Sequence, residues 1–270
     1  VLIASEYGVK IVNILPEDFS FGYSLNSGIE KAAGEFCVYI SAHCYPENEF
    51  WLANLIRPFD DPSIALVYGK QRGNETTKYS EHQIFAKWFP DDNDGKQDST
   101  FCNNANAAIR ITHWEKNKYN EVLTGLEDID WANRIKSKEF SIYYAPDAGV
   151  IHVHNESTFQ IFNRYKREAI AMKMIYPHES FTFFETVKLF FLNTMSDYIH
   201  AAQDKKLAAN LTSIPLMRFL QFWGTYRGYN FKKLVSTDLK REFYYPRKYS
   251  VSKIRDSRQK KKDEKKEIYI

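Results

Sequence analysis

The sequence predicts an α/β fold, with a mostly parallel sheet in its first part and a helical extension after it. Up to about residue 157, short apolar runs alternate with segments of helical periodicity, which is typical of a doubly covered sheet. From Thr158 onward the pattern is helical throughout and rich in Phe and basic residues. Apolar residues make up 44% of the 270-residue chain, enough to form a core. We expect an α/β domain over 1–157, the extension over 158–250 and a basic tail over 251–270.

The first elements predict a β–α–β unit. The run "KIVNILP" indicates a strand that ends at Pro16, and "GYSLNSGIEKAAGEF" places Leu25 and Ile29 at helical spacing. The run "FCVYI" is continuously apolar, as in a strand covered on both faces. Next, "NEFWLANLIRPF" predicts a helix that Pro58 stops, and "IALVYGKQ" predicts another strand.

The second half of the α/β domain begins with a long polar connection over 73–98. In "TGLEDIDWANRIKSK", Thr124 and Glu127 have the spacing of a capping box, which predicts a helix start. Two strands, "FSIYYAP" and "GVIHVH", are expected around a Pro-Asp turn. Three helical segments follow, "TFQIFNRYKREAIAMKMIY", "TFFETVKLFFLNTMSDYIHAA" and "PLMRFLQFWGTYRGYNFKKL".

Charge and cysteine usage limit the classes of function. The net charge is +3, and the last twenty residues alone carry six Lys, two Arg and four Asp or Glu, which is +4. Basicity is therefore a property of the tail, either as a solvated end or as an electrostatic contact with an anionic membrane. We expect no nucleic-acid partner. Three scattered Cys favour a reducing compartment, and no apolar run is long enough for a spanning helix.

Three histidines are candidate metal ligands. In "YISAHC", His43 follows a strand directly, at the edge where α/β sheets bind ligands; the alternative is a polar strand end. His152 and His154 lie two apart in a predicted strand and share a face, so one could be a second ligand and the other could orient a phosphate or the ligand shell. A pair of polar residues on an open strand face is equally compatible. Imidazole ligands favour manganese over magnesium if a metal binds.

Five segments in this order resemble family 2 glycosyltransferases with a GT-A fold, and bacterial rhamnosyltransferase-like enzymes in particular. They are "SLNSGIEKAAGEFCVYI", "SAHCYPENEFWL", "FCNNANAAIRITHWE", "YNEVLTGLEDIDWANRI" and "YYAPDAGVIHVHNES". The resemblance implies a nucleotide-sugar donor and a glycan or lipid-linked acceptor in surface polysaccharide biosynthesis. It also implies that the family's opening strand, helix and second strand, which bind the base, are missing, so that the GT-A domain is truncated at its N-terminus.

The family's metal-binding Asp-x-Asp motif falls on Ser41-Ala42-His43. Related GT-A enzymes that transfer N-acetylgalactosamine to polypeptides have Asp-x-His there, with the His as a metal ligand. The resemblance thus implies His43 as a ligand of a divalent metal, with His152 or His154 as a second ligand. Ser41 would supply only a neutral hydrogen bond to the donor.

The family's Glu-Asp pair, which supplies the catalytic base, falls on Glu127 and Asp128. Because Glu127 is explained by the capping box, Asp128 is the better base, and a helix-start charge is the alternative. Trp131 is expected to pack against the core or the acceptor sugar.

Three asparagines complete the expected binding residues. By resemblance, Asn104 and Asn106 face the donor sugar and acceptor, although Asn also favours turns. Asn26 matches a family Asn near the nucleotide, where Leu25 replaces the usual preceding Arg.

Together these features predict an inverting glycosyltransferase that transfers a hexose or deoxyhexose, located in the cytoplasm or at the inner face of a bacterial membrane. A degenerate GT-A-like domain that binds glycans or scaffolds other enzymes is the alternative, favoured by the replaced Asp-x-Asp motif.

Overall fold

The computed structural model describes residues 4, 6–232, 235, 239 and 243–244. Within them the chain forms a six-stranded sheet with helices on both faces and a helical layer at one end. The strands are β1 (Phe36–Ile40), β2 (Cys44–Pro46), β3 (Ile64–Arg72), β4 (Gly95–Gln97), β5 (Asn106–Arg110) and β6 (Ser141–His152). The tail predicted over 251–270 lies outside the described residues.

The sheet is mixed, so the prediction of a mostly parallel sheet is wrong. The strand order is β1-β5-β3-β6-β2, with β4 pairing to β6. Among the described strands, β3 and β6 pair in parallel, whereas β1–β5, β3–β5, β2–β6 and β4–β6 are antiparallel. A continuous apolar run indicates that both faces of a strand are covered, but it does not encode the direction of its neighbours.

Two of the predicted strand boundaries also differ. The segment 10–16 forms no strand, so the expected β–α–β unit lacks its first element. The two strands expected around the Pro-Asp turn are one continuous strand, β6. Its pairing with β3 shifts register between Gly69 and Gln71, so that the residues from Pro146 to Gly149 form a bulge in β6.

The helices of the described residues are α1 (Phe21–Ile29), α2 (Trp51–Ile56), α3 (Tyr79–Trp88), α4 (Ile111–Glu115), α5 (Glu127–Lys136), α6 (Thr158–Ile175), α7 (Phe183–Gln203), α8 (Leu207–Asn210) and α9 (Ser213–Tyr229), with a 3-10 turn at Arg57–Asp60. Helices α6 and α7 begin with capping boxes at Ser157 and Thr182.

The capping box predicted at Thr124 does not form. Helix α5 does begin at Glu127, but the residue before it is Leu126, in the left-handed conformation with φ 56°, and no side chain caps the helix. The Thr124 hydroxyl instead donates to the carbonyl of Arg167 at 2.9 Å. Glu127 is thus free of the structural role that set it apart from Asp128.

The sheet divides the core into two apolar layers. On one face Leu66 and Tyr68 of β3 pack with Trp131 of α5, and on the other face Val67 packs with Leu55 and Phe59. This alternation along a strand follows from its two-residue period. The core fixes the sheet rigidly below the edge where the polar residues gather.

The helical layer contacts the sheet domain through α6 and also through α3, where Tyr79 packs with Ala201 of α7 and Ile214 of α9. Helix α9 lies closely against α6. A Cβ added at Gly224 would lie 2.7 Å from the Phe162 carbonyl oxygen, and a Cβ added at Gly228 would lie 2.4 Å from the Lys166 carbonyl oxygen. Only glycine allows this approach of two helix backbones. Helix α6 is therefore held between α9 on one side and the sheet edge on the other.

Candidate functional site

The register of four strands brings the predicted segments together at one edge of the sheet. Ile40 at the end of β1 pairs with Asn106 at the start of β5, and Cys44 of β2 pairs with His152 at the end of β6. Two backbone bonds extend this pairing: the Ser41 amide donates to the carbonyl of Ala105 at 3.1 Å, and the Val153 amide to that of His43 at 2.9 Å.

A cavity of about 810 Å³ opens at this edge. Its walls come from α1, the ends of β1 and β6, the segment before β5, the start of α5 and one face of α6. The predicted site residues that line it are Ser41, His43, Asn104, Glu127, Asp128, His152 and His154. A cavity of this size is large enough for a ligand of several rings.

The three histidines converge through their Nε2 atoms. His152 Nε2 lies 2.8 Å from His43 Nε2 and 2.9 Å from His154 Nε2. His154 lies two residues beyond the end of β6, not within a strand as expected, yet its ring meets that of His152. The ligand atoms of all three lie within 4.8 Å of one another, a spacing that suits coordination of one cation.

Buried partners fix the orientation of two of these rings. The Gln71 side-chain oxygen lies 2.7 Å from His152 Nδ1, and a Glu81 carboxylate oxygen lies 2.6 Å from His154 Nδ1. Both oxygens accept, so both Nδ1 atoms carry the proton and both Nε2 atoms present lone pairs in the neutral rings. Such outer partners typically orient metal-ligating histidines. The sequence contains no signal that singles out Gln71 or Glu81.

This arrangement fits a cation between the rings. The single lone pair of His152 Nε2 can accept one hydrogen bond, from His43 or from His154. The other of these two close nitrogen–nitrogen contacts therefore has no hydrogen bond to stabilise it. Protonation of His152 does not relieve this contact, because burial, and then the neighbouring His154 and His43, lower the pKa of His152 to about 2. A divalent metal would satisfy all three lone pairs at once, because imidazoles bind metals in their neutral form.

Glu81 remains ionised despite its burial. Burial alone raises the pKa of its carboxyl, but the hydrogen bond from His154 and the charge of Arg164 outweigh it and lower the pKa to about 2. The Arg164 guanidinium lies 2.7 Å from Glu81 and 2.7 Å from Glu156. A buried anion next to the imidazoles adds to their affinity for a cation.

Glu127 and Asp128 form a second ionisable centre in the cavity, and each is 7% exposed. The Asp128 carboxylate accepts from the backbone amides of Asn104 at 3.1 Å and Ile129 at 2.8 Å. Burial raises the pKa of both carboxyls, and repulsion by Asp128 raises that of Glu127 further. The two amide donors favour the ionised form of Asp128, so Asp128 carries the charge of the pair and Glu127 retains the proton.

Two arginines of α6 that the sequence analysis did not identify also line the cavity. Arg164 and Arg167 are three residues apart on a helix and so project from one face, toward the site. Arg167 lies 4.9 Å above the ring of Phe21. Their spacing within "NRYKRE" was the available signal, but a charged helix face is usually solvated and the packing of α6 on the site could not be inferred.

The predicted binding residues fall into two groups. Ser41 and Asn104 line the cavity, and both polar side-chain atoms of Asn104 are buried without a protein partner, which leaves them for a ligand. Asn106, Asn26 and Trp131 lie outside the lining, so the structure does not bring them together with the others.

The three residues outside the cavity make contacts within the protein. Asn106 accepts from Trp51 Nε1 and donates to the carbonyls of Lys70 and Ala148. Asn26 accepts from Trp114 Nε1, and it donates to the Tyr119 carbonyl and the Glu121 carboxylate. Trp131 is fully buried.

Comparison with known proteins shows which family part of the chain is similar to. Residues 2–116 match the family described as glycosyl transferase family 2. This match, over less than half of the chain, supports the resemblance found in the sequence, and the expected α/β fold is present with a mixed sheet.

Two relatives extend the comparison. The O-antigen chain rhamnosyltransferase WbaN of Salmonella anatum is 28% identical over 182 residues, which cover 60% of this chain and 55% of WbaN. The chain therefore spans about half the length of this curated relative. The mannosyltransferase PcManGT from Pyrobaculum calidifontis, solved with GDP-Man and Mn2+, is similar with a TM-score of 0.48 and 14% identity, covering 85% of this chain and 68% of PcManGT.

Proposed function

We propose that this chain carries the catalytic centre of an inverting glycosyltransferase that uses a nucleotide-sugar donor. One observation carries the proposal: a single cavity contains both a buried carboxylate pair and a convergent imidazole cluster. The first is suited to remove a proton, and the second to hold a cation next to a diphosphate.

Asp128 is the proposed general base. Its carboxylate takes the proton from an acceptor hydroxyl, the acceptor oxygen bonds to the anomeric carbon, and the nucleoside diphosphate leaves with the electron pair of the broken bond. A single displacement of this kind inverts the configuration at the anomeric carbon. The elevated pKa of Asp128 suits the role, because a base works best with a pKa near the working pH.

The leaving diphosphate requires positive charge. Arg164 and Arg167 supply fixed cationic groups in the cavity wall, and Asn104 offers an unpartnered amide for the donor sugar. His43, His152 and His154 would hold a divalent metal, which supplies charge neutralisation of the diphosphate when bound. Imidazole ligands favour manganese over magnesium. Ser41 is proposed to bind the donor through its hydroxyl.

Deoxyhexose transfer in surface polysaccharide biosynthesis is the proposed context. It is supported by the similarity to WbaN, an O-antigen chain rhamnosyltransferase. The acceptor in this proposal is a glycan or its lipid-linked precursor, and the protein works at the inner face of a bacterial membrane. Among the described residues, the helices are too short or too polar to cross a bilayer.

Replacement of Asp128 by Asn tests the proposal. A general base contributes typically about 10²–10⁴-fold to the rate, so turnover should fall by that factor while calorimetry shows unchanged donor binding. Asp130→Asn, two residues along the same helix, is the matched control, because Asp130 pairs with Arg134 at 2.9 Å and does not line the cavity. Equal turnover in Asp128→Asn and the control would rule out Asp128 as the base.

The same measurements separate catalysis from the scaffold alternative. A panel of nucleotide sugars is first screened by thermal shift, with and without manganese. A donor that stabilises the protein but is not turned over with any acceptor glycan would favour a binding domain. Inverted anomeric configuration in the product, read by NMR, would support the proposed displacement, and retention would contradict it.

A further inference from the structure

Two aromatic residues that follow α9 in the sequence pack beside the cavity. Phe243 is 7% exposed, and the centre of its ring lies 5.5 Å from Lys166 Nζ of α6. The Tyr244 ring meets the rings of Phe19 and Phe21 edge to face, with centroids 5.0 and 5.4 Å apart. Such edge-to-face contacts are favourable and fix the rings relative to one another. Because Phe21 lines the cavity, Tyr244 lies next to the cavity wall.

The rings of Phe21 and Tyr244 enclose the guanidinium of Arg167, which also lines the cavity. The guanidinium carbon lies 4.9 Å from the Phe21 ring centre and 5.8 Å from the Tyr244 ring centre. The two rings stand at 89° to each other, and we call them the aromatic corner. A cation this close to a ring face is attracted by its negative charge density. The aromatic corner therefore restricts where the Arg167 guanidinium can lie.

This contact leaves the N–H groups of Arg167 available to a ligand. Its Nε is buried with no hydrogen-bond partner among the described residues. An oxygen of Glu168 lies 4.0 Å from a terminal nitrogen of Arg167, which is too far for a hydrogen bond. Arg164, in contrast, already pairs with Glu81 and Glu156. A guanidinium that is held by rings and presents its donors to a cavity is suited to the oxygens of a phosphate.

The Tyr244 hydroxyl contacts a third part of the wall, the turn before α5. Burial raises the pKa of Tyr244 to about 12, so the hydroxyl keeps its proton, and it donates to the Thr124 carbonyl at 3.0 Å. The Thr124 hydroxyl in turn donates to the Arg167 carbonyl at 2.9 Å. A Cβ added at Gly125 would lie 3.5 Å from Arg167 Nε. Tyr244 thus connects α1, α6 and the turn that leads to Glu127.

We propose that Tyr244 is a positioning residue, which holds the Arg167 guanidinium in place to bind an oxyanion of the diphosphate class. The aromatic corner orders Arg167 through contacts that do not use its N–H groups, so a ligand does not have to displace a protein acceptor. A side chain that is ordered before the ligand arrives loses less entropy on binding. The choice of a diphosphate rests on the proposed function, whereas the contact between Tyr244 and Arg167 does not.

Calorimetric titration of the full chain with inorganic pyrophosphate, without added metal, tests the proposal. Arg167→Met should weaken binding about 10–100-fold, because charge-assisted hydrogen bonds are lost. Tyr244→Leu should weaken binding about 3–10-fold, because Arg167 then has to be ordered when the ligand binds. In a chain that already carries Arg167→Met, Tyr244→Leu should change the affinity by less than about 1.5-fold, since no guanidinium is left to position.

Three variants separate positioning from a general loss of structure. Tyr244→Phe keeps the ring and should bind pyrophosphate within about 1.5-fold of the original chain. Phe21→Leu removes the other ring of the aromatic corner and should repeat the coupled loss from a different element, which keeps the test available if Tyr244→Leu does not fold. Tyr229→Leu is the matched control, because Tyr229 also stacks on a phenylalanine and bonds a carboxylate but lies outside the cavity lining. It should leave the affinity unchanged.

Two results would overturn the proposal. The first is pyrophosphate binding that is absent in the original chain or equal in the original, Tyr244→Leu and Phe21→Leu. The second is a loss on Tyr244→Leu that is as large with Arg167→Met as without it, since Tyr244 would then act on structure in general. Failure of the proposed function is a separate result: a coupled loss of pyrophosphate binding in a protein that transfers no sugar would support the positioning role and contradict the transferase.

Discussion

Replacement of Glu127 by Gln should stabilise the protein at alkaline pH and leave its stability at pH 5 almost unchanged. In the folded protein, burial and the charge of Asp128 raise the pKa of Glu127 above its unfolded value. The folded state therefore binds more protons than the unfolded state at pH values between the two pKa values. By linkage, the free energy of unfolding falls as the pH rises through this window. Gln does not titrate, so the variant lacks this loss.

The magnitude follows from the size of the pKa shift. Each unit of elevation corresponds to about 1.4 kcal/mol of stability lost once the pH exceeds the raised value. Even one unit would lift the Tm of the variant by about 2–4 °C at alkaline pH for a protein of this size. The variant is more stable because it lacks the Glu127 carboxylate, a negative charge that is otherwise buried away from water at alkaline pH.

Urea unfolding at pH 5, 6, 7 and 8 checks the prediction, with Glu115→Gln on the surface as the control. Subtracting the control removes the contribution of groups common to both variants, including the histidines. Turnover of Glu127→Gln should stay within about tenfold of the original, because Asp128 retains its two backbone donors. A stability difference that does not grow with pH, or one that also appears in the control, would refute the reasoning about the pair.

Three further predictions concern the histidine cluster and the helical layer. His43→Ala should lose manganese affinity in calorimetry, whereas His43→Asp should retain a metal and shift preference toward magnesium; unchanged metal binding in His43→Ala would exclude His43 as a ligand. Gln71→Met should weaken manganese binding about 10–100-fold and Gln71→Glu, which still accepts from His152, should restore most of it; equal losses would indicate general disruption. Asp197→Asn should lower the free energy of unfolding by about 3–5 kcal/mol, since it leaves Arg218 buried without its counter-charge, and Asp197→Leu/Arg218→Met should recover most of that loss. A loss in the double variant as large as in Asp197→Asn would mean that packing, not charge, determines the cost.

The sequence by itself determined the local elements. Strands β1 and β3, helix α5 and the three long helices of the extension all form close to where periodicity placed them. It also determined that His43 follows a strand and that Glu127 and Asp128 start a helix, since these are statements about neighbours in the chain. Such patterns reflect the period of the backbone, which is local.

Only the tertiary structure decided the pairing directions and the surroundings of the site. The antiparallel neighbours of β5 and the continuity of β6 depend on contacts between distant segments. The apolar pattern within one segment does not indicate which other segment will pair with it, or in which direction. Gln71 and Glu81 reach the histidines from two separate elements, and Arg164 reaches Glu81 from a third. Each is an ordinary polar residue in its own stretch of sequence.

Helix α7 shows the same limit most clearly. Its sequence predicts a helix, but the usual burial of apolar side chains would place the phenylalanines inside the protein and Asp197 in solvent. The partner that reverses this choice, Arg218, lies 21 residues away on another helix and becomes a neighbour only in the folded protein. Which face of an amphipathic helix is covered depends on what lies opposite it, and the free energy of that contact is a property of the whole fold.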